Sequence, residues 1–214
     1  MRGASRRQVQ SQRQQAAPGG AAAETDAGKT VQLPYVIELQ RPRKMRLELV
    51  FKGETAVQVY DGVNGWKLRP YLGRKDAEPY TADELKAAAQ EQELDGPLIN
   101  YSAKGTKVDL AGTEQIEGRD AYKLKLTLKG GQVRHVWVDA RTFLDVKIDG
   151  VPRRLDGKPH AVAIYLRDYR PVEGLMIPHV LETTVQGVKD SEKMTIERVA
   201  LNPKLGKARF AKPQ

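Results

Sequence analysis

The chain has 214 residues, 36 Lys and Arg against 27 Asp and Glu, a net charge of +9 and no cysteine. A single domain is sufficient at this length, and all-β folds of this size commonly stay single. Without cysteine there are no disulfides, thiolate nucleophiles or zinc–thiolate sites, and no run of about 18 apolar residues suggests a transmembrane helix. The positive charge makes an anionic partner plausible: nucleic acid, phospholipid headgroups or an acidic protein.

The N-terminal segment is polar and basic. Residues 1–14 contain four arginines and no acidic residue, which is typical of a basic arm, a polar edge strand or a disordered tail. Residues 15–28 include the run Pro18-Gly19-Gly20 and predict a flexible loop. Residues 23–30 end like a phosphate-binding P-loop, but Ala23 replaces its first glycine and no buried strand precedes it. We therefore expect no nucleotide site there.

Alternating apolar residues predict the first group of strands. Residues 30–40 form a strand in which Pro34 indicates an edge or a bulge. Residues 44–51 place Met45, Leu47 and Leu49 on one face and charged residues on the other. After a further strand over 54–60, the dipeptides Asp-Gly and Asn-Gly within 60–66 are those of tight hairpin turns. They predict a hairpin corner that leads into a strand over 66–69.

One helix interrupts this pattern. Thr81 and Glu84 have the spacing of a capping box, in which each side chain satisfies a free backbone donor at a helix start. Leu85, Ala88 and Ala89 follow on one side, and Gly96-Pro97 ends the segment. Because its apolar face is thin and mostly alanine, this helix suits a lid better than a central scaffold.

The strand pattern then returns to the end of the chain. Tyr122, Leu124 and Leu126 alternate with lysines and threonine, which predicts one dry and one basic face. The total is about ten or eleven strands in an antiparallel, mainly β fold with a minor helical part, as in a strongly curved sheet, barrel or sandwich. The predicted strands of this half are 108–113, 121–129, 133–139, 144–148, 161–169, 175–186 and 194–201.

No motif for catalysis or metal binding stands out. The three histidines lack the spacing of a helical metal site, and no serine lies in a Gly-x-Ser-x-Gly elbow. Gly130-Gly131-Gln132 matches the catalytic tripeptide of peptide-release factors, but its position between two strands predicts a hairpin turn. Asp145 and Asp149 have no spacing that would set them across one cleft. We expect no catalytic residue, no metal and no cofactor.

Two basic clusters make nucleic-acid binding an alternative. Basic residues interleaved with aromatic residues are what a single-strand binder needs. The aromatic residues Trp66 and Tyr71 are equally compatible with the core or rim of a sheet. The clusters are Arg41, Arg43, Lys44 and Arg46, and Lys67, Arg69, Arg74 and Lys75.

The order of these elements and several short motifs resemble the LolA/LolB-like superfamily, the bacterial outer-membrane lipoprotein carrier and sorting proteins. The resemblance runs from about residue 39 to residue 210. Each motif is weak alone, and their order and spacing carry the likeness. The motifs are RPRKMRLE at 41–48, YDGVNGW at 60–66, DGPL at 95–98, EGRDAYKL at 117–124 and DYRPVEGLMIPH at 168–179.

The resemblance implies a highly curved antiparallel sheet, an incomplete β-barrel with a helical lid, whose concave apolar face receives acyl chains. Each buried methylene contributes about 0.8 kcal/mol, so such a face can hold a lipid without covalent chemistry. It implies a periplasmic, non-enzymatic carrier with a lipidated protein or lipid as ligand and envelope proteins as possible partners, and no nucleic acid. Proteins of this superfamily usually begin with an export signal and a helix; residues 1–9 look like the inside of the first strand, so we expect both elements upstream.

The residues expected to line the cavity are those on the apolar strand faces. Plain packing between sheet and helix explains each of them equally well, and the sequence does not say which face is concave. The alternatives are an envelope-associated protein-interaction domain that uses the same sheet, and a basic nucleic-acid-binding domain. The twelve candidates are Met45, Leu47, Leu49, Val57, Val59, Trp66, Tyr122, Leu124, Leu126, Val162, Ile164 and Leu166.

Overall fold

The computed structural model describes residues 4–12, 32–91 and 94–214. The predicted loop 15–28 and the P-loop-like octapeptide 23–30 lie outside these ranges. Two short 3₁₀-helices, Pro70–Leu72 and Lys207–Phe210, accompany the main elements. Those elements are β1 (Ala4–Gln12), β2 (Gln32–Gln40), β3 (Lys44–Phe51), β4 (Glu54–Tyr60), β5 (Gly65–Arg69), β6 (Arg74–Pro79), α1 (Ala82–Glu91), β7 (Lys107–Ile116), β8 (Arg119–Thr127), β9 (Val133–Asp139), β10 (Asp145–Asp149), β11 (Arg153–Leu155), β12 (Lys158–His160), β13 (Val162–Val172), β14 (Leu175–Val185) and β15 (Glu192–Leu201).

Thirteen of these strands form one antiparallel sheet in the order β6-β5-β4-β3-β2-β1-β15-β14-β13-β10-β9-β8-β7, and β11 and β12 form a separate hairpin. The predicted count of ten or eleven was too low, because β1, β6, β11 and β12 are short or lack alternating apolar residues. Of the alternatives for the N-terminal segment, an edge strand does not fit residues 4–12. Strand β1 pairs with β15 on one side and β2 on the other, so its backbone lies inside the sheet despite its polar sequence.

The predicted turns at the hairpin corner and at Gly130-Gly131 are confirmed. Asp61 Oδ1 accepts hydrogen bonds from the backbone N–H groups of Val63 and Asn64 at 2.8 and 2.7 Å, and Tyr60 faces Gly65 in the register of β4 and β5. Gly131 closes the β8–β9 turn with φ of 80°, a left-handed conformation that favours glycine.

The sheet is curved and not closed into a barrel, because β6 and β7 remain its two edges. Residues 80–106, which include α1, connect these edges, and their described parts, 80–91 and 94–106, contact the sheet at several points. In this segment Asp95 binds Arg41 beside β3, while Leu98 packs against β8 and β9. Three residues span at most about 10 Å, whereas β3 and β9 are seven places apart, about 34 Å in a flat sheet. The sheet therefore bends around this segment.

The register defines two faces of the sheet, and α1 identifies the inner one. Leu47 faces Gln58, which faces Lys67, so these three side chains share a side. The Lys67 ammonium binds Glu84 of α1 at 2.6 Å. We call the side that carries Leu47 and α1 the inner face and the opposite side the outer face. None of the helices in the described ranges is long and apolar enough to cross a bilayer.

Candidate ligand-binding face

The first half of the inner face is an apolar surface around two buried residues, Tyr35 on β2 and Ile196 on β15. Leucines, isoleucine and methionine pack against these two residues from β2, β3, β14 and β15, and they remain only partly buried. Since α1 presents mainly alanine, of which Ala88 is buried, it does not cover them all. The partly buried members are Ile37, Leu47, Leu49, Leu181, Met194 and Val199.

The second half of the inner face centres on Leu126, Val136 and Val138 of β8 and β9, which are nearly inaccessible to solvent. Leu124 and Ile148 extend this cluster along the sheet. Leu98 packs on it from residues 80–106, so the connecting segment covers part of this half. Tyr122 is 37% exposed at its margin.

Nine of the twelve predicted residues share this inner face. Register pairs connect Leu124 to Val136, Ile148 to Ile164 and Leu166 to Leu181, and thus join the two apolar halves. The nine are Met45, Leu47, Leu49, Tyr122, Leu124, Leu126, Val162, Ile164 and Leu166.

The other three candidates, Val57, Val59 and Trp66, lie on the outer face. Val57 and Val59 stand opposite Glu48 and Arg46 rather than opposite the leucines of β3, and Trp66 faces Val59. A single surface lined by all twelve residues therefore conflicts with the register of this hairpin. These three form a cluster with Phe210 of the second 3₁₀-helix, which packs on the outside of the sheet.

An ion network holds this C-terminal segment to the outer face. Arg209 Nε binds the buried carboxylate of Glu38 at 2.7 Å, and its Nη2 binds Glu48 at 2.8 Å. Burial would raise the pKa of Glu48, but hydrogen bonds and charge from Arg46 and Arg209 lower it below its ordinary value. The segment thus covers the outer side of β2–β5, the side opposite α1.

On the other half of the sheet the outer face carries a small buried cluster, Ile116, Ala121, Trp137 and Val146, surrounded by charged side chains. Trp137 lies under two cations, with Lys147 Nζ at 4.1 Å and Lys123 Nζ at 5.2 Å from its ring centre, and its indole N–H donates to Glu114. Trp137 is buried, and these cation–π contacts let the two lysines cover its ring. The predicted division of β8 into a dry and a basic face is confirmed, and the dry side is the inner one.

The start of α1 is attached to the sheet through the predicted capping box. Thr81 N–H donates to Glu84 Oε2 at 2.7 Å and Glu84 N–H to Thr81 Oγ1 at 3.3 Å. Burial alone would raise the pKa of Glu84, but donors from Lys67 and Thr81 lower it. The Tyr80 ring lies directly over the Cα of Gly65, and burial together with the Glu84 charge raises the pKa of Tyr80 to about 12.

Most cations of the two basic clusters are paired with carboxylates. Arg41 binds Asp95, Arg46 binds Glu48, and Arg69 and Arg74 both bind Glu78. Neither aromatic residue is free for stacking, since Trp66 packs with Phe210 and Tyr71 meets Phe51 edge to face at 5.4 Å. These contacts weaken the nucleic-acid alternative.

The histidines lie apart, and across the part of the chain that the structure describes no group of metal-ligating side chains converges. His135 Nδ1 contacts Asp149 at 2.8 Å, His160 contacts the Gln186 carbonyl and the buried His179 contacts the Ile177 carbonyl. Each is explained by a local hydrogen bond.

These features define an open, curved antiparallel sheet with an apolar inner face under a helical segment, and solved structures share this fold. The chain is similar to a domain from Vibrio parahaemolyticus named for outer membrane lipoprotein sorting (11% identity, 97% of this chain, 89% of that chain, TM-score 0.62). It is also similar to a LolA superfamily protein from Nitrosomonas europaea (15%, 99% and 90%, TM-score 0.59) and to a DUF1329 family protein from Desulfovibrio piger (14%, 97% and 89%, TM-score 0.62).

The predicted resemblance to the LolA superfamily is therefore confirmed at the level of fold. Scans against protein-family models and curated protein sequences gave no match. At these identities the likeness is one of architecture, and the ligand has to be argued from the residues themselves.

Several inner-face residues were not among the twelve predicted to line the cavity. Ile37, Leu181 and Met194 belong to the same apolar cluster as Leu47 and Leu49. Ile37 and Leu181 lie in strands that the alternation did predict, so pairing those strands with β3 would have found them. Leu98 follows Pro97 in a segment without periodicity, and only the tertiary structure places it on the face.

Proposed function

We propose that the protein is a non-enzymatic periplasmic carrier that binds lipoprotein acyl chains or another hydrophobic ligand on the inner face of its curved sheet. The observation that carries this proposal is the row of partly buried aliphatic side chains from β3 to β8 on the side of α1. An ordinary core would be closed by a large apolar element, whereas α1 offers mainly alanine. Because each methylene removed from water contributes about 0.8 kcal/mol, an acyl chain completes this surface.

The similar structures support the same proposal, since two of them are named for lipoprotein sorting or the LolA superfamily. In this proposal residues 1–214 form one domain, the ligand is a lipidated protein or lipid, envelope proteins deliver or receive it, and no cofactor takes part. The segment 80–106 acts as the lid, because its described residues, 80–91 and 94–106, contact the sheet through local ion pairs and one apolar side chain.

Neighbouring residues on one strand provide a matched test. Leu49 belongs to the inner-face cluster, while Val50 is 39% exposed on the other side of β3. We expect Leu49→Asp to weaken saturable binding of a fluorescent palmitate analogue at least tenfold, because loss of two methylene contacts at about 0.8 kcal/mol each exceeds the 1.4 kcal/mol of a tenfold change. Val50→Asp, the control, should bind like the wild type.

Leu124→Asp repeats the test in the other half of the inner face, with thermal unfolding to establish that each variant is folded. Equal weakening by Leu49→Asp and Val50→Asp would contradict the choice of face. No saturable binding by the folded wild-type protein would contradict the carrier proposal and favour the protein-interaction alternative.

A further inference from the structure

A cleft of about 430 Å³ opens at the end of the sheet where β9 and β10 separate. The last register pair of these strands is Ile148 with Val136, and beyond it the β9 backbone has no β10 partner. Instead, the carboxylate of Asp149 accepts hydrogen bonds from His135 N–H and contacts its Nδ1, both at 2.8 Å. The residues between β10 and β13 form the opposite wall of the cleft.

The lining is mainly apolar but contains two charges. Val133, Val151 and Pro152 face solvent, and Val162 is buried at the bottom. Gly150 is required here, because a Cβ on it would lie 2.6 Å from Val162 Cγ1. The two charged residues in the lining are Asp149 and Arg134. Asp149 is hydrogen-bonded to His135, so Arg134 is the charged residue that is available to a ligand.

Arg134 lies on the inner face, directly opposite the fully buried Leu126 in the register of β8 and β9. Its side chain is half-buried, and within the described ranges no carboxylate, carbonyl or aromatic ring pairs with it. A guanidinium has five donors in a planar fork that matches carboxylate and phosphate oxygens. In this protein the Arg134 guanidinium borders the apolar inner face that is proposed to hold an acyl chain.

We propose that Arg134 binds the anionic headgroup of an amphiphile whose chain lies on the inner face, so that the preferred ligands are negatively charged lipids. The cleft has the size of a small-molecule site, within the range of about 300–1,000 Å³, and shares Arg134 and Val162 with the inner face. Binding of the headgroup would give the half-buried Arg134 guanidinium a partner, and charge-assisted hydrogen bonds of this kind are strong. This inference rests on the proposed function and specifies its ligand class.

The test compares two ligands that differ only in the headgroup. Dodecanoate and dodecanol compete against an uncharged fluorescent naphthylamine probe, at concentrations below micelle formation, on the full chain. We expect the wild-type protein to bind dodecanoate about tenfold more tightly than dodecanol, the lower end of what a charge-assisted hydrogen bond contributes. Rising salt should reduce this preference, since it screens the ion pair.

Arg134→Gln should abolish the preference by weakening dodecanoate about tenfold while leaving dodecanol unchanged. Arg154→Gln is the matched control, because Arg154 is exposed on the neighbouring β11 hairpin and loses the same charge. Arg134→Lys, which keeps the charge but not the fork, should retain part of the preference.

Equal affinities of the wild-type protein for the two ligands would overturn the inference and leave the carrier proposal standing, and this comparison needs no variant. Equal weakening of both ligands by Arg134→Gln would assign Arg134 a structural role and would also overturn it. If the folded wild-type protein bound neither the probe nor either ligand, the carrier proposal itself would fail.

Discussion

Gly65→Ala should loosen the lid, because the Tyr80 ring occupies the space that a side chain at position 65 would need. A Cβ on Gly65 would lie 2.1 Å from Cδ2 and 2.5 Å from Cγ of that ring. The Tyr80 backbone N–H also donates to the Gly65 carbonyl at 2.8 Å, so the ring cannot move without disturbing the start of α1. The substitution forces either the ring or the chain before the helix away from β5.

Forcing an extra methyl group into a packed site costs about 1–3 kcal/mol. For a chain of this length each kcal/mol lowers Tm by about 2–4 °C, so we expect Tm to fall by about 2–12 °C. The pKa of Tyr80, raised to about 12 by burial and by the Glu84 charge, should fall toward the ordinary value of about 10 as the ring meets water.

Thermal unfolding, hydrogen exchange of α1 and a tyrosinate absorbance titration measure these changes. Gly130→Ala is the control, since a Cβ on Gly130 meets no atom within 4 Å. In a Tyr80→Ala background Gly65→Ala should have almost no effect, because the two residues act through one contact. An unchanged Tm together with unchanged protection of α1 would refute the role of this contact in holding the lid.

Acidification should release α1, because Glu84 has a pKa below its ordinary value despite burial. The stabilisation that its carboxylate contributes is present above about pH 4.3. It is lost as the pH falls through the lower pKa that Glu84 has in the folded protein. Equal hydrogen-exchange protection of α1 above about pH 4.3 and below the folded-state pKa of Glu84 would contradict this prediction. Asp139→Asn should destabilise the β9–β10 turn mainly at neutral pH, since hydrogen bonds from two backbone N–H groups lower the pKa of Asp139; denaturant unfolding should show its effect shrinking below about pH 4, and an effect independent of pH would argue against it. A double-mutant cycle of Arg41→Gln and Asp95→Asn should give a coupling of only about 0–1 kcal/mol, because both side chains are substantially exposed, and a coupling that does not weaken with salt would be unexpected.

Local signals in the sequence predicted the elements whose stability is local. The alternation of β3 and β8, the dipeptides of the 60–66 corner and the capping box at Thr81 are all found in the structure. Each depends on residues within one strand, one turn or one helical turn, where backbone sterics and nearby side chains decide the conformation.

Features that depend on pairing between strands distant in sequence could not be predicted from the sequence. Strand β6 has the sequence RKDAEP and β1 has ASRRQVQSQ; neither has an apolar face, and neighbouring backbones rather than their own side chains make them strands. The face of Val57 and Val59 was equally hidden, because alternation shows that two residues share a side but not which side of the sheet it is. Only the pairing of Val57 with Glu48 settles it.

Within the described residues 80–91 and 94–106, the attachments of the proposed lid to the sheet differ in strength, and this difference predicts a direction for its opening. Near Tyr80 the segment is held by packing of the Tyr80 ring on Gly65 and by Glu84, which accepts hydrogen bonds from Lys67 and from the Thr81 backbone. At Leu98 it is held by apolar contact. Between them lies the solvent-exposed ion pair of Asp95 with Arg41. If the proposed lid opens, we expect its displacement to begin around Asp95 and to turn about the Tyr80 end, so that the middle of the inner face becomes accessible before the margin at β5.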